Sequence, residues 1–251
     1  MIRELDILYD KLKSIRPLSP ESIRRLSEDF MIDYTYHSNA IEGSTLTLEE
    51  TALVLKEGVT IGGKPLQHHL EAIGHRDAYL YIEDLIKAKI GISEKTIKDI
   101  HSLVLMDKQS DRGVYRSVPV RVGSFYPCQP YEVPIQMEQL MAKYNDEMQH
   151  LHIVERVALF HLIFETIHPF VAGNGRVGRL LLNFELMKEG YPPVNIKFSD
   201  RAKYYECFNH YRTNNNDASK MTELISGYAI DELKRYIEIA EQSDKLRNGL
   251  M

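Results

Sequence analysis

The chain has 251 residues, a formal net charge of −5, 43% hydrophobic residues and 27% charged residues. These values are typical of a globular protein, and the negative charge argues against nucleic acid as a partner. Its two cysteines, Cys128 and Cys207, lie far apart, which argues against a zinc site or a disulfide scaffold and fits a reducing compartment. The N-terminus lacks the pattern of a secretory signal, and no run of about 18 uncharged apolar residues occurs. We therefore expect a cytoplasmic protein that does not enter a membrane.

Most of the chain has helical periodicity. In the first predicted helix, over residues 3–15, Ile7, Leu8, Leu12 and Ile15 recur at helical spacing. The later predicted helices cover approximately residues 20–40, 48–58, 66–90, 93–107, 134–150, 153–167, 176–189, 199–213 and 218–242. The expected fold is therefore all-α, apart from one segment between the fifth and sixth helices.

Local signals predict where two of these helices begin. Ser19 followed by Pro20 is a typical start, because proline suits the first turn of a helix. Thr47 and Glu50 have the spacing of a capping box for a short helix that ends near Gly58.

The segment over residues 113–135 has a different pattern. Apolar and polar residues alternate over 118–122, Gly123-Ser124 interrupts the alternation, and three prolines follow. This pattern predicts a small β-hairpin or an extended flap near residues 118–126. An ordinary surface hairpin would explain it equally well.

The sequence HPFVAGNGRVGR, residues 168–179, lies between two strongly apolar helices. Gly173 and Gly175 permit a close approach of a ligand to the backbone, and the helix that follows directs its free N–H groups at the same place. Arg176 and Arg179 share one helix face beside this turn. Two guanidinium groups and a nest of amides suit a polyphosphate, and His168 is the nearby candidate for a general base.

Each of these features also has a plain structural explanation. A histidine at a helix end is often a capping or core residue, and a glycine pair is often only a turn. The joint spacing of the histidine, the Gly-Asn-Gly turn and the two arginines favours the phosphate site.

The same stretch resembles the signature of the Fic family, HPFx(D/E)GNGRxxR, and every constrained position except one agrees. The resemblance implies a nucleotidyltransferase that moves AMP from its co-substrate ATP to a protein hydroxyl group, with His168 as the base. It also implies that the phosphates are bound by Gly173, Asn174, Gly175, Arg176 and Arg179. Glycine at position 175 resembles the AMP-transferring branch of the family, and the buried anchor of the loop would be Phe170.

Ala172 departs from the signature, in which an acid at this position binds the Mg²⁺ that bridges the phosphates. Mg²⁺ is expected with ATP, but alanine offers it no side-chain oxygen, so the chain would supply no metal ligand here. Natural attenuation, a nucleotide-binding pseudoenzyme and an engineered replacement all remain open.

A second motif lies upstream, where residues 38–43 read SNAIEG. A helix end followed by a glycine stop would explain it. The segment also resembles the inhibitory helix of the Fic family, (S/T)xxxE(G/N), with Ser38 and Glu42 at its two marked positions. The resemblance implies that Glu42 pairs with Arg179 and occupies the place of the γ-phosphate of ATP.

The resemblance suggests three regions. Residues 1–65 would be an N-terminal helical region with the inhibitory helix, residues 66–215 the Fic-type helical core with its small β-hairpin flap, and residues 216–251 a C-terminal helix and tail. Tyr204 and Tyr205 would lie at the adenine pocket, although helical core aromatics are the alternative.

Other histidines are not expected to bind metal. His68, His69 and His75 share a predicted helix with Glu71, and a solvated face explains them better than a metal site does. We expect the target protein to lie against the flap, and the sequence leaves a homodimer open. A binding module is the alternative to transfer, a toxin-like regulator would use the same chemistry on a different substrate, and a DNA-binding regulator has little support.

Overall fold

The computed structural model describes residues 1–15 and 20–247, and in this part of the chain it contains ten α-helices. They are α1 (Ile2–Ser14), α2 (Pro20–Ile41), α3 (Leu48–Glu57), α4 (Leu66–Lys87), α5 (Glu94–Val104), α6 (Val133–Asn145), α7 (Ile153–Ile167), α8 (Asn174–Lys188), α9 (Arg201–Thr213) and α10 (Ser219–Arg247). The prediction of an all-α fold is confirmed.

The ends of α3 follow the predicted signals. The Glu50 amide donates to Thr47 Oγ1 at 3.1 Å, and the Thr47 amide donates to the Glu50 carboxylate at 2.8 Å. Gly58 ends the helix with φ 67°, in the left-handed region that favours glycine. Helix α2 begins at Pro20, whereas the predicted cap Ser19 lies outside the described residues.

Helix α1 turns a slightly different face to the core than the sequence suggested. Leu5 and Leu12 are fully buried, and Leu8 and Ile15 pack against the same cluster. Ile7 is 60% exposed, so its assignment to the apolar face was wrong. The spacing of the other four residues forms a helical stripe that Ile7 does not share.

The expectation of a solvated histidine face on α4 is also wrong for two of the three histidines. His69 and His75 are buried. His69 Nε2 accepts a hydrogen bond of 2.8 Å from the Ile61 amide, and His75 Nδ1 lies 3.0 Å from Thr35 Oγ1 on α2. Both rings are hydrogen-bonded core residues, because α4 is covered by α2 and by the loop that follows α3.

Helices α7 and α8 form the centre of the fold. Both contribute to each of the two large apolar clusters. One cluster joins them to α1, α9 and α10, and the other joins them to α2, α4, α5 and α6. The turn between α7 and α8 is therefore held from both sides by close-packed side chains.

The segment between α5 and α6 has no β-strand among the described residues. Val122 and Phe125 exchange two backbone hydrogen bonds of 2.9 Å and form one isolated antiparallel bridge. The predicted hairpin is thus reduced to a tight turn. Pro119 and Pro127 flank this turn, and a residue without an N–H group cannot extend a ladder of backbone hydrogen bonds.

The first and last helices pack side by side. Ion pairs join Lys11 to Glu241 at 2.8 Å and Lys234 to Glu4 at 2.9 Å across the α1–α10 contact. Across residues 1–15 and 20–247, none of the helices has the length and apolar character needed to cross a membrane.

Candidate active site

The site is built on the turn between α7 and α8. His168 ends α7 with φ 51° and ψ 63°, an uncommon conformation for a residue with a side chain. Gly173 precedes α8 with φ 81° and acts as its N-cap. The two left-handed residues reverse the chain, so that the His168 ring and the N-terminus of α8 lie at the same place.

Buried contacts hold this turn in shape. Phe170 is completely buried, and its ring stacks on His101 of α5 with centroids 3.7 Å apart and planes 5° from parallel. Asn174 Nδ2 donates to the Phe170 carbonyl at 2.8 Å, and its Oδ1 accepts from the Phe170 amide at 2.9 Å. The loop is therefore anchored in the core by Phe170, as the resemblance implied.

His101 also fixes the backbone at position 172. Its Nδ1 accepts from the Gly113 amide at 2.9 Å, so its Nε2 must carry the proton and donate to the Ala172 carbonyl at 3.0 Å. Burial, opposed by the bond to Ala172, lowers the pKa of His101 to about 4. The ring is therefore neutral near pH 7 and belongs to the scaffold of the loop.

Arg116 clamps the other side of the turn. It is buried, and its Nε donates to the His168 carbonyl at 2.8 Å. Its Nη2 donates to the carbonyls of Cys128 at 2.6 Å and Ile167 at 3.3 Å, and its backbone amide donates to Pro169 at 2.9 Å. One guanidinium group thus ties the segment after α5 to the end of α7.

A cavity of about 400 Å³ opens beside this turn. That volume lies within the range of about 300–1,000 Å³ typical of small-molecule sites. The walls come from the turn after α2, the 122–124 turn, α7, α8 and α9. The lining residues are Glu42, Val122, Gly123, Ser124, Glu165, His168, Gly175, Arg179, Arg201, Tyr204, Tyr205, Phe208, Asn209 and Arg212.

At the inner wall of the cavity, the structure brings Ser38, Glu42 and Arg179 together. Arg179 is 2% exposed, its Nη2 lies 2.8 Å from Glu42 Oε1, and its Nε donates to Ser38 Oγ at 3.0 Å. Nη2 also donates to the Ser38 carbonyl at 2.8 Å. Burial alone would lower the pKa of Arg179, but the Tyr204 hydroxyl and the Glu42 carboxylate raise it above its ordinary value. Arg179 is therefore a fixed positive charge.

Gly175 explains how the Glu42 carboxylate reaches the N-terminus of α8. A Cβ atom at Gly175 would lie 2.2 Å from Glu42 Oε1, far inside van der Waals contact. The absence of a side chain at position 175 therefore lets an anion approach the first turn of α8. Free amides and the helix dipole make that end positive, which is the arrangement that binds phosphate in many proteins.

Three of the predicted phosphate-binding residues do not line the cavity. The Asn174 side chain is buried in its bonds to Phe170. Arg176 is buried, and its Nη2 lies 3.4 Å from Glu71 Oε1 on α4. Gly173 faces Val104 and His101. Gly175 and Arg179 are the two predicted phosphate-binding residues that face the open space.

The two predicted adenine-pocket residues differ in their exposure. Tyr204 is buried, and its hydroxyl group lies 2.6 Å from His161 Nε2 and 3.4 Å from Arg179 Nη1. Tyr205 is half-buried, and the Arg201 guanidinium lies 4.8 Å from the centre of its ring. Both residues line the cavity, where Tyr204 contacts Arg179 and the Tyr205 ring lies beside Arg201.

Ala172 offers no side-chain oxygen, and its carbonyl group is already bonded to His101. Among the described residues, no group of three or more His, Cys, Asp or Glu side chains is arranged to hold a metal ion. Glu42 and Glu165 are the carboxylates that line the cavity, and Glu42 is paired with Arg179. The residues present do not fit a Mg²⁺ ion held by the protein.

Sequence reasoning missed several cavity residues. On α9, Arg201, Asn209 and Arg212 lie on the same face as Tyr205, a helical spacing that could have revealed them. On α7, Glu165 is an acid within a strongly apolar helix, three residues before His168. A charged residue at such a place needs an explanation, and this signal was present in the sequence.

Comparison with known proteins agrees with this architecture. Residues 91–186 match the Fic/DOC family. A Fic domain-containing signaling protein from Bacteroides thetaiotaomicron aligns with 30% identity and a TM-score of 0.88, covering 95% of this chain and 97% of that one. A fragment of Fic-1 from Caenorhabditis elegans aligns with 30% identity and a TM-score of 0.83, covering 95% and 70%.

Two similar curated proteins are named protein adenylyltransferases. "Protein adenylyltransferase Fic" from Nematostella vectensis is 37% identical over 216 residues, which is 83% of this chain and 49% of the relative. "Protein adenylyltransferase fic-1" from C. elegans is 32% identical over 254 residues, or 99% and 49%. The chain thus spans about half the length of these curated relatives.

Proposed function

This chain belongs to the Fic/DOC family, and we propose that it is a protein adenylyltransferase, which moves AMP from ATP onto a hydroxyl side chain of a target protein. The observation that carries the proposal is one cavity lined by His168, Gly175 and Arg179. The names of the curated relatives support the same activity.

In this proposal the triphosphate lies against the N-terminus of α8. Gly175 and Arg179 contact the phosphates directly, through backbone amide and guanidinium. Gly173 and Asn174 shape the nest of amides, since both fix the backbone at the start of the helix. Arg176 adds positive charge from behind the nest, although its pairing with Glu71 reduces that contribution.

The transfer is one in-line displacement. The hydroxyl oxygen of the target attacks the α-phosphorus of ATP and forms a new P–O bond, while its proton moves to a nitrogen of His168. The bond from the α-phosphorus to the oxygen that bridges to the β-phosphorus breaks, and pyrophosphate leaves with the electron pair. Arg179 and the end of α8 stabilise the negative charge, and positioning supplies much of the remaining rate.

Glu42 inhibits this reaction in the resting state. Its carboxylate occupies Arg179 at 2.8 Å and the N-terminus of α8, which are the groups that a phosphate needs. ATP must displace the Glu42 carboxylate from Arg179, whose guanidinium group Ser38 helps to hold in place. The competition between carboxylate and phosphate for one guanidinium group supports autoinhibition from α2.

Further parts of the cavity suit the adenine of ATP and the target protein. Tyr205 provides the ring on which adenine stacks, and Tyr204 holds Arg179 from behind. The target protein lies against the turn at residues 122–124, which forms the wall next to His168. An extended segment of the target pairs with backbone groups near that turn by strand addition.

A nucleotide-binding pseudoenzyme is the second candidate, and Ala172 is the observation that favours it. The chain supplies no metal ligand at this position, so charge on the departing pyrophosphate is less neutralised. ATP could still bind through Gly175 and Arg179 without productive transfer.

Self-labelling with ATP radioactive at the α-phosphate tests the proposal without a known target. The forms to compare are the protein as it is, Glu42→Gly, and Glu42→Gly with His168→Ala, each with Mg²⁺. We expect Glu42→Gly to label at least about ten times faster than the parent, because one charge-assisted hydrogen bond worth about 1.5–3 kcal/mol no longer competes with ATP. The His168→Ala form should not label.

Calorimetry of ATP binding separates the outcomes. If Glu42→Gly binds ATP but does not label, and Glu42→Gly with Ala172→Asp does label, the protein is better described as a pseudoenzyme. If no form labels while ATP binds, adenylyl transfer is the wrong reaction.

A further inference from the structure

Glu165 and His168 form a pair at the end of α7 that the reaction described above does not use. Glu165 Oε2 lies 3.6 Å from His168 Nδ1, and their side chains are 11% and 16% exposed. Glu165 Oε1 and His168 Nδ1 are both buried atoms without a hydrogen-bond partner among the described residues. The Glu165 carboxylate, through Oε2, and the unpartnered Nδ1 atom of His168 thus lie side by side at the edge of the cavity.

We propose that Glu165 is a positioning residue, which accepts the Nδ1–H of His168 and thereby directs the Nε2 lone pair toward the target hydroxyl. A separation of 3.6 Å is too long for a hydrogen bond, and a small rotation of either side chain closes it. Such contacts in an unliganded site often tighten when the substrates bind. When Nε2 takes the proton, the carboxylate also stabilises the imidazolium that forms.

The surroundings of Glu165 leave it available for this task. The other cavity carboxylate, Glu42, is bound to Arg179, whereas Glu165 has His168 as its ion-pair partner in the described structure. Its neighbour His161 cannot neutralise it near pH 7, because burial lowers the pKa of His161 to about 3.

Gly178 makes room for this carboxylate. A Cβ atom there would lie 2.7 Å from Glu165 Oε1 and 2.7 Å from the His161 ring. The close approach of α8 to α7 at this glycine therefore places an acid inside the protein, directly behind the candidate base. A buried carboxylate with one oxygen that lacks a hydrogen-bond partner among the described residues is costly, which argues for a role beyond packing.

This inference rests on the proposed function, since the tautomer of His168 matters to the reaction only if His168 is the base. Its first test does not, because the tautomer can be read in the resting protein without ATP. Nitrogen-15 NMR of the histidine rings distinguishes Nδ1–H from Nε2–H. The His168 signals are assigned by their loss in His168→Ala.

We expect neutral His168 to be the Nδ1–H tautomer in the parent. In Glu165→Ala it should change to Nε2–H, the form that free histidine side chains favour in water. Glu138→Ala, which removes an exposed carboxylate on α6, is the matched control and should leave the His168 signals unchanged. An Nε2–H tautomer in the parent, or the same tautomer in all three proteins, would overturn the inference whether or not the protein transfers AMP.

Kinetics in the Glu42→Gly background provides the second test. We expect Glu165→Gln and Glu165→Ala to reduce kcat by about 10² or more, the usual contribution of a positioned general base, with little change in KM for ATP. The isosteric Gln form should keep more activity, because its amide oxygen can still accept from Nδ1. If the variants instead raise the requirement for Mg²⁺ with kcat restored at high metal concentration, Glu165 serves the metal and not His168.

Discussion

At the scale of single residues, Ala172 is the position at which this sequence departs from the family signature. Its side chain is half-exposed, and its backbone is held by the 3.0 Å bond from His101. A larger side chain at this position would therefore leave the loop in place. Position 172 therefore lacks a carboxylate although the fold of the loop is intact, and a single substitution should restore one.

We predict that Ala172→Asp in the Glu42→Gly background raises the rate of self-labelling by at least about tenfold, because a metal-held charge on the phosphates is worth several kcal/mol in the transition state. The gain should depend on Mg²⁺ and disappear with a chelator. Ala172→Asn is the matched control, with the same size and no charge. An equal gain in the Asn form would mean that the effect is one of packing and not of metal binding.

The features that could be predicted are those that a local pattern or a family motif marks. The left-handed turn at Gly173, the capping box at Thr47 and the pairing of Glu42 with Arg179 all follow from local signals or from two motifs that the family resemblance connects. The roles of His101 and Arg116 did not follow. Their partners lie far along the chain, and nothing in the local pattern of either residue indicates a carbonyl group at the α7–α8 turn.

At the scale of elements, Arg116 is the link between the segment after α5 and the turn that carries His168. A buried guanidinium bonded to several carbonyls satisfies groups that would otherwise be unpaired. Lysine has a charge but not the planar fork, so it cannot reach these carbonyls together. The segment from 117 to 128 should then detach more readily from the end of α7.

We predict that Arg116→Lys lowers the free energy of unfolding by about 3 kcal/mol, since at least two buried carbonyls lose their donors. Urea unfolding measures this loss, and hydrogen exchange should show faster opening of residues 117–128 than of α8. Arg121→Lys, an exposed arginine in the same segment, is the control and should change neither quantity. Equal effects of both substitutions would show that Arg116 does not hold this segment to the end of α7.

At the scale of the whole molecule, three buried histidines connect elements across the fold. His75 joins α4 to Thr35 on α2, His101 joins α5 to the loop at Ala172, and His161 joins α7 to Tyr204 on α9. Each ring is fully buried, and burial lowers the pKa of each. The native protein therefore holds these rings neutral, while the unfolded chain protonates them near pH 6.5.

The sign of the resulting pH dependence follows from these depressed pKa values. Below about pH 6.5 the unfolded state binds protons that the native state does not, so the protein loses stability as the pH falls toward the native pKa values of about 4 for His101 and about 3 for His161. Between pH 7 and pH 5 each of these histidines should remove about 2 kcal/mol of stability. Urea unfolding at pH 7, 6 and 5 measures the total, and NMR titration should show three of the ten histidines still neutral at pH 5. A free energy of unfolding that does not change over this range would mean that these rings take up protons in the folded state. The contacts between α2, α4, α5, α7 and α9 would then open far more easily than the burial of the rings indicates.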